Sequence, residues 1–306
     1  MTHLSTIDGA PPSWTASTPT EVVELARRWM RSPPLRELLS ALGGPSPGSD
    51  PAALLGWSSE HLDTRGGVER HEADRTAWAP DWVNAILAAA GPLGLLETAQ
   101  PHRQDYGALL MLGGTVTGNR LRTALTARLL ASGVHPGTLA IISADRPLTK
   151  QELEGDPAPT AATEWQDALQ HVDDALGRLR HEQEQTGGSG PSSWRDLRLS
   201  RAGLPPVRVL VAPATREHSR ATTADGIQFA LARMPDELRQ GVLLITSAIY
   251  APYQFFTSAP LLLARGVGWV ELVGTPTATD RAGQLLAQRL GQEIHSAIAG
   301  AVELVG

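Results

Sequence analysis

The chain has 306 residues, 42% of them hydrophobic, a formal net charge of -6 and no cysteine. That length and apolar share suffice for one large domain, or a domain plus a smaller one, around a sizeable core. The acidic balance without any basic block gives no indication of bulk electrostatic attraction to nucleic acid, and the missing cysteines exclude disulfides, thiol nucleophiles and thiolate metal or cluster sites.

Residues 1–17 are polar and proline-rich and read as a flexible arm. They lack the basic-then-apolar order of a signal peptide, and no run approaches the roughly 18–20 apolar residues that span a bilayer. The expectation is a soluble, cytoplasmic protein. An N-terminal helical region is predicted over 18–104. Thr18 can N-cap the first helix, Pro19 suits its first position and Glu21 completes a capping box. Val22, Leu25, Ala26 and Trp29 share one face at helical spacing. A second helix is predicted from Pro34 to Leu42, and "DWVNAILAAAG" gives another that ends at Gly91.

From 105 to 306 short β-type runs alternate with helices. Strands are predicted at 106–112, 138–143, 207–212, 241–246 and 269–274, with a last short one in "AVELV". A helix from about Asn119 carries Leu121, Ala124, Leu125 and Leu129 on one face. "EWQDALQHVDDALGRLRHEQ" reads as one long helix, and about 186–204 as a flexible loop. Continuous apolar strands alternating with helices predict an α/β fold: a Rossmann-like, doubly wound, mainly parallel sheet of five or six strands. Ligands of such sheets bind beyond the carboxyl ends of the strands, which singles out the loops there.

The first loop holds Gly113, Gly114, Thr115, Asn119 and Arg120. Glycines let the backbone approach a ligand, the helix N-terminus offers N–H groups to an anion, and Arg120 can add a bidentate contact. The pattern is neither Walker A nor GxGxxG, and a plain strand-to-helix turn uses the same chemistry. The second loop holds Asp145 and Arg146, which suit either a ligand contact or a local ion pair. The third is the densest in polar groups. Glu217 and His218 are adjacent and can act as general base or orient a water. Ser219 or Thr222 can cap the next helix. The fourth places Thr246 and Ser247 at a strand end, then Tyr250, Tyr253 and Gln254; the two aromatics can stack on a ring or simply pack.

Together these loops resemble the YdcF/SanA/ElyC family of bacterial α/β proteins over roughly 105–275. The family's first strand ends in Leu-Gly-Gly with an Arg in the next helix, matched by Leu112, Gly113, Gly114 and Arg120. Its third segment is matched by Glu217, Ser219 and Thr222, while Ala221, Ala224 and Asp225 replace Asn, Glu and Asn. Its fourth is matched by Thr246 and Ser247, but Tyr250 stands at the family His and Tyr253 at the family Arg. The resemblance implies a Rossmann-like sheet and a polar pocket for a small anionic ligand, of nucleotide or S-adenosylmethionine type. No other cofactor is indicated.

Two functions follow as expectations. One is a small-molecule transferase or hydrolase, set in secondary metabolism by the high-GC coding bias, with Glu217 or His218 handling a proton. Without a GxSxG elbow or an HExxH helix, serine-hydrolase and zinc-peptidase chemistry is not expected. The other is a non-catalytic binding or regulatory protein on the same fold, which the replaced His and Arg favour. The helical N-terminal region, with Trp57, Trp78 and Trp82, then docks a partner or covers the pocket. Glu60, His61, Asp63, His71, Glu72 and Asp74 read as a solvated charged segment rather than a metal site. No nucleic-acid or membrane partner is expected, and the sequence does not indicate an oligomeric state.

Overall fold

The computed structural model describes residues 12–46, 50–64, 78–154, 159–215, 220–279 and 283–306. In chain order the elements are β1 (Trp14–Ala16), α1 (Pro19–Met30), α2 (Pro33–Ala41), α3 (Pro51–His61), α4 (Pro80–Ala90), β2 (Asp105–Leu112), α5 (Val116–Ala131), β3 (His135–Ala144), α6 (Lys150–Leu153), α7 (Glu164–Leu176), β4 (Arg180–Gly187), β5 (Trp194–Ser200), β6 (Val207–Ala212), α8 (Thr223–Arg233), α9 (Pro235–Leu238), β7 (Val242–Ser247), α10 (Ala251–Leu263), β8 (Val270–Thr275) and α11 (Gln284–Val305). They form two compact units. The first comprises Met1–Gln100, Ala248–Ala259 and Pro276–Gly306; the second, Pro101–Ser247 and Pro260–Thr275.

The first unit is helical. Thr18 accepts a hydrogen bond from the Glu21 N–H at 3.2 Å, and Pro19 opens α1. The Glu21 carboxylate reaches back to the Ser17 N–H at 2.7 Å, one residue before the cap, because the chain is extended there. Val22, Leu25, Ala26 and Trp29 form the buried stripe of α1. Trp14, Trp29 and Phe256 meet edge-on with ring centroids 5.7–5.9 Å apart, the geometry aromatic quadrupoles favour. α11 packs on α1, α3 and α4. The "AVELV" segment is its last turn, not a strand: Ala297, Ile298 and Ala301 continue the helical burial period into it.

The second unit is α/β. Its strands stand in the order β8-β7-β2-β3-β6-β5-β4. β2, β3, β6, β7 and β8 are parallel, and β5 and β4 extend the sheet antiparallel. Numbered along the chain, the five parallel strands stand third-second-first-fourth-fifth, the Rossmann order. Their interiors are buried on both faces, which is why they read as unbroken apolar runs. On one face Leu109, Ile141, Val209 and Ile245 pack with Leu125 and Leu129 of α5 and Val172 of α7. On the other, α8 lies against β3 and β6.

Three expectations for this unit are corrected. The predicted long helix stops at Leu176, because Gly177 takes a positive φ of 83° with the Arg201 guanidinium over it. The following residues form β4, and the supposed loop at 186–204 holds the end of β4 and all of β5. The unit therefore has seven strands, not five or six.

Candidate functional site

The strand order reverses between β2 and β7. The chain moves outward from β2 through β3 to β6 and later returns to place β7 beside β2 on the other side. At such a switch point the loops leaving the two strands diverge and open a crevice at their carboxyl ends. β2 ends at Leu112-Gly113-Gly114, and β7 at Thr246-Ser247.

Arg122, on the second turn of α5, joins these two strand ends. It is 2% exposed. Its Nη1 donates to the carbonyls of Leu112 and Gly113, and its Nε to Ser247 Oγ at 3.3 Å. The guanidinium lies so close over the glycine pair that a Cβ on Gly114 would stand 2.9 Å from Nη1. Gly113 is equally constrained, since a Cβ there would meet Glu164 Oε1 at 2.5 Å.

A second arginine approaches the same loop from β3. Arg146 Nη2 donates to the Gly114 carbonyl at 3.4 Å, while Nη1 and Nη2 clasp the two oxygens of Glu152 at 2.8 and 3.0 Å and Nε donates to Glu164 at 3.0 Å. Glu164 also accepts from Ser143 Oγ at 3.0 Å. Burial works against the Arg146 charge, but the bonds and charges of Glu152 and Glu164 outweigh it and push the guanidinium further up. Burial likewise works against the Glu152 charge, yet the Arg146 fork and the Thr149 N–H and hydroxyl hold its carboxyl down at about 2, against an ordinary 4.5.

A group depressed in this way adds stability above its unfolded value and loses it as pH falls towards its folded one. The expected result is an acid loss of urea resistance between about pH 4.5 and pH 2 that flattens in Glu152→Gln. At neutral pH that variant is destabilised by about 2 kcal/mol, the scale of a charge-assisted hydrogen bond.

The glycine loop does not cradle a ligand with its own N–H groups. Gly113 N–H donates to the Ile142 carbonyl at 2.6 Å, Gly114 N–H to Asn119 Oδ1 at 3.0 Å, and Gly118 N–H to Thr115 Oγ1 at 3.2 Å. Asn119 is fully buried and donates in turn to Asp167 at 2.8 Å. Thr115 is the N-cap of α5 and Asn119 a buried bracket for the loop. The loop presents carbonyls to two arginines, and cationic character at this edge comes from guanidinium groups. Arg120 is exposed on the outer face of α5 and makes none of these contacts. The buried stripe of α5 runs through Asn119, Arg122, Thr123, Leu125, Thr126 and Leu129, with Leu121 and Ala124 outside it. Arg122 was missed in the sequence; an arginine in phase with Asn119, Leu125 and Leu129 on α5 is the signal that could have pointed to it.

The remaining candidates divide as follows. Asp145 is exposed just past β3 and accepts from Trp165 Nε1 at 3.1 Å. Thr222 caps α8: its hydroxyl accepts from the Asp225 N–H and donates to the Asp225 carboxylate at 2.8 Å. Thr246 is buried at the end of β7. Tyr250, Tyr253 and Gln254 belong to the first unit; Gln254 is buried there, and a Cβ on Gly300 of α11 would lie 3.6 Å from the Tyr253 ring. Glu217, His218 and Ser219 lie outside the described residues. Of the charged segment, His61 stacks on Trp57 at 5.0 Å and faces Trp82 at 6.2 Å, with Trp78 next in the row; His71, Glu72 and Asp74 lie outside the described residues. Among the described residues no helix is long and apolar enough to cross a membrane, and no group of three or more His, Asp or Glu is placed to hold a metal ion.

Residues 14–94 match a family model described as the Rv3785 N-terminal domain. The match covers about a quarter of the chain and ends before β2. No curated protein and no solved structure matches the chain significantly.

Proposed function

We propose that the α/β unit binds a small anionic ligand, of nucleotide or S-adenosylmethionine type, at the carboxyl edge of its parallel strands. The observation that carries this reading is Arg122, a buried guanidinium bridging the ends of β2 and β7 where the strand order reverses. Val116 and Thr117, at the first two positions of α5, supply N–H groups that have no acceptor within the helix. The likeness of the strand-end loops to the YdcF/SanA/ElyC family points the same way.

A specific observation favours binding over catalysis. Each described carboxylate at this edge holds a structural bond: Asp145 with Trp165, Glu152 and Glu164 with Arg146, Asp167 with Asn119, Asp225 with Thr222. Of these, Glu152 is held well below the ordinary carboxylate range by the Arg146 fork, which makes it a weak proton acceptor. A transferase or hydrolase on this scaffold takes its general base from Glu217 or His218, the adjacent acid and histidine of the third strand-end loop, and without one of them the unit is a binding or regulatory module.

Thermal unfolding with nucleotides, S-adenosylmethionine and sugar phosphates tests both halves. A bound ligand at a hundredfold excess over Kd adds about 2.7 kcal/mol, a rise of several degrees. The rise is expected to vanish in Arg122→Ala and to persist in Arg120→Ala. Product formation that stops in Glu217→Ala identifies an enzyme; intact ligand after prolonged incubation identifies a binding protein. If no compound of these classes raises the melting temperature, the reading fails.

A further inference from the structure

The parallel strands say more about the ligand than its charge. β3 is the second strand of the Rossmann order, beside β2. In sheets wound this way an acidic residue at the carboxyl end of the second strand lies one ribose away from a ligand held at the end of the first. In this chain β3 ends at Ala144, and the next residue is Asp145.

The surroundings of Asp145 suit that task beside its bond to Trp165. The side chain is exposed, so the sheet does not need it for packing. One oxygen, Oδ1, accepts from the indole Nε1 of Trp165 at 3.1 Å. The other, Oδ2, has no partner among the described residues, although Arg146 is next in sequence and has two carboxylates around it. Trp165 is itself held: the Arg195 guanidinium of β5 lies 4.9 Å from its ring centroid, and the indole packs on the core beneath α7. A carboxylate oriented through one oxygen, with the other facing solvent at a strand end, is a preformed acceptor for hydroxyl donors.

We infer that Asp145, oriented by Trp165, is the acceptor for the 2′- and 3′-hydroxyls of a ribose, and that the ligand of this edge is a ribonucleoside derivative rather than a sugar phosphate or a bare anion. The inference rests on the proposed binding edge and narrows its ligand class. Both sources of a ribonucleoside, a nucleotide and S-adenosylmethionine, present the same cis-diol. Trp165 is a positioning residue: it fixes the carboxylate and does not itself meet the sugar.

The test is calorimetric titration of the full chain with adenosine monophosphate, its 2′-deoxy analogue, S-adenosylmethionine, ribose 5-phosphate and inorganic pyrophosphate. The two adenosine compounds separate the nucleotide from the sulfonium source. Wild type is expected to prefer the ribonucleotide over the deoxyribonucleotide by about tenfold or more, the scale of one hydrogen bond to a charged group. Asp145→Asn is expected to bring that ratio to near one, with the ribonucleotide losing more affinity than the deoxyribonucleotide, which keeps only its 3′-hydroxyl contact, and Trp165→Phe to reduce the ratio in part. Because Asp145 is exposed, its variant should melt with the wild type. Equal affinity for both sugars in wild type, or a ratio unchanged in Asp145→Asn, overturns the ribose subsite and leaves the anion site standing. Pyrophosphate binding without nucleoside binding does the same. If none of the five compounds binds, the binding edge itself is wrong.

Discussion

Arg122→Ala is expected to lower stability by about 3 kcal/mol and to abolish ligand-induced stabilisation, while Arg120→Ala changes neither by more than a few tenths of a kcal/mol. The first cost follows from the partners. The Leu112 and Gly113 carbonyls lose the Nη1 donor at the end of a buried strand, and Ser247 loses the Nε donor. An orphaned buried polar group costs about 1–3 kcal/mol, and the space left by a buried arginine adds to it. Arg122→Lys separates scaffold from ligand. An ammonium on a flexible stem keeps the charge but cannot serve two carbonyls and a hydroxyl in one plane, so it should regain part of the stability and little of the affinity. Urea unfolding gives the first quantity and calorimetry with the ligand panel the second. The assignment of Arg122 fails if Arg122→Ala binds within twofold of wild type, and it passes to the outer face of α5 if Arg120→Ala is the variant that loses binding.

The contrast between Arg120 and Arg122 also shows where the sequence is legible and where it is not. The five parallel strands were readable to within three residues at each end, because burial on both faces leaves an unbroken apolar run that no other element of this length needs. The strand-end loops followed from the strands. Within a loop the reading was less sharp, because polar residues there serve structure and ligand with the same atoms. Gly113 and Gly114 look like a cradle in sequence, but their N–H groups are satisfied by Ile142 and Asn119, a fact that depends on a neighbouring strand and on a side chain five residues on. Arg122 is legible only once the phase of α5 is known, and placing Leu121 and Ala124 on the inner face hid it. β4 was hidden for another reason: Arg180 to Thr186 are exposed on both faces, so neither a period of two nor an apolar run marks them. Charge is what an edge strand carries to prevent further pairing, and the same residues are good helix formers. The final turn of α11 misled in the opposite way, since "AVELV" has strand-like composition but helical burial.

The hidden edge is also where the second large effect is expected. Arg208 on β6 and Asp196 on β5 form a buried two-point pair, Nη2 to Oδ2 at 2.6 Å and Nε to Oδ1 at 3.3 Å, in which both side chains are within 5% of full burial. Arg208 Nη1 also reaches the Arg233 carbonyl at 3.0 Å and Glu237 at 3.4 Å. Asp196→Ala leaves a buried guanidinium with only these, and a loss of about 3 kcal/mol is expected. The double variant Asp196→Leu with Arg208→Met is expected to recover most of it, because two apolar side chains need no desolvation of charge. Urea unfolding of the four proteins of that cycle measures the coupling, and a cost below about 1 kcal/mol for Asp196→Ala would show that the pair does not hold the strand. Amide exchange locates the loss. Opening should begin in β5 and β4, outside the parallel core, before it reaches β2 and β3. β5 also carries Arg195 over the Trp165 ring, so Asp196→Ala should weaken ribonucleotide binding through Trp165 while leaving pyrophosphate binding intact. A pair placed to fasten an add-on strand to the parallel sheet would then also keep the carboxylate at the tip of β3 in position.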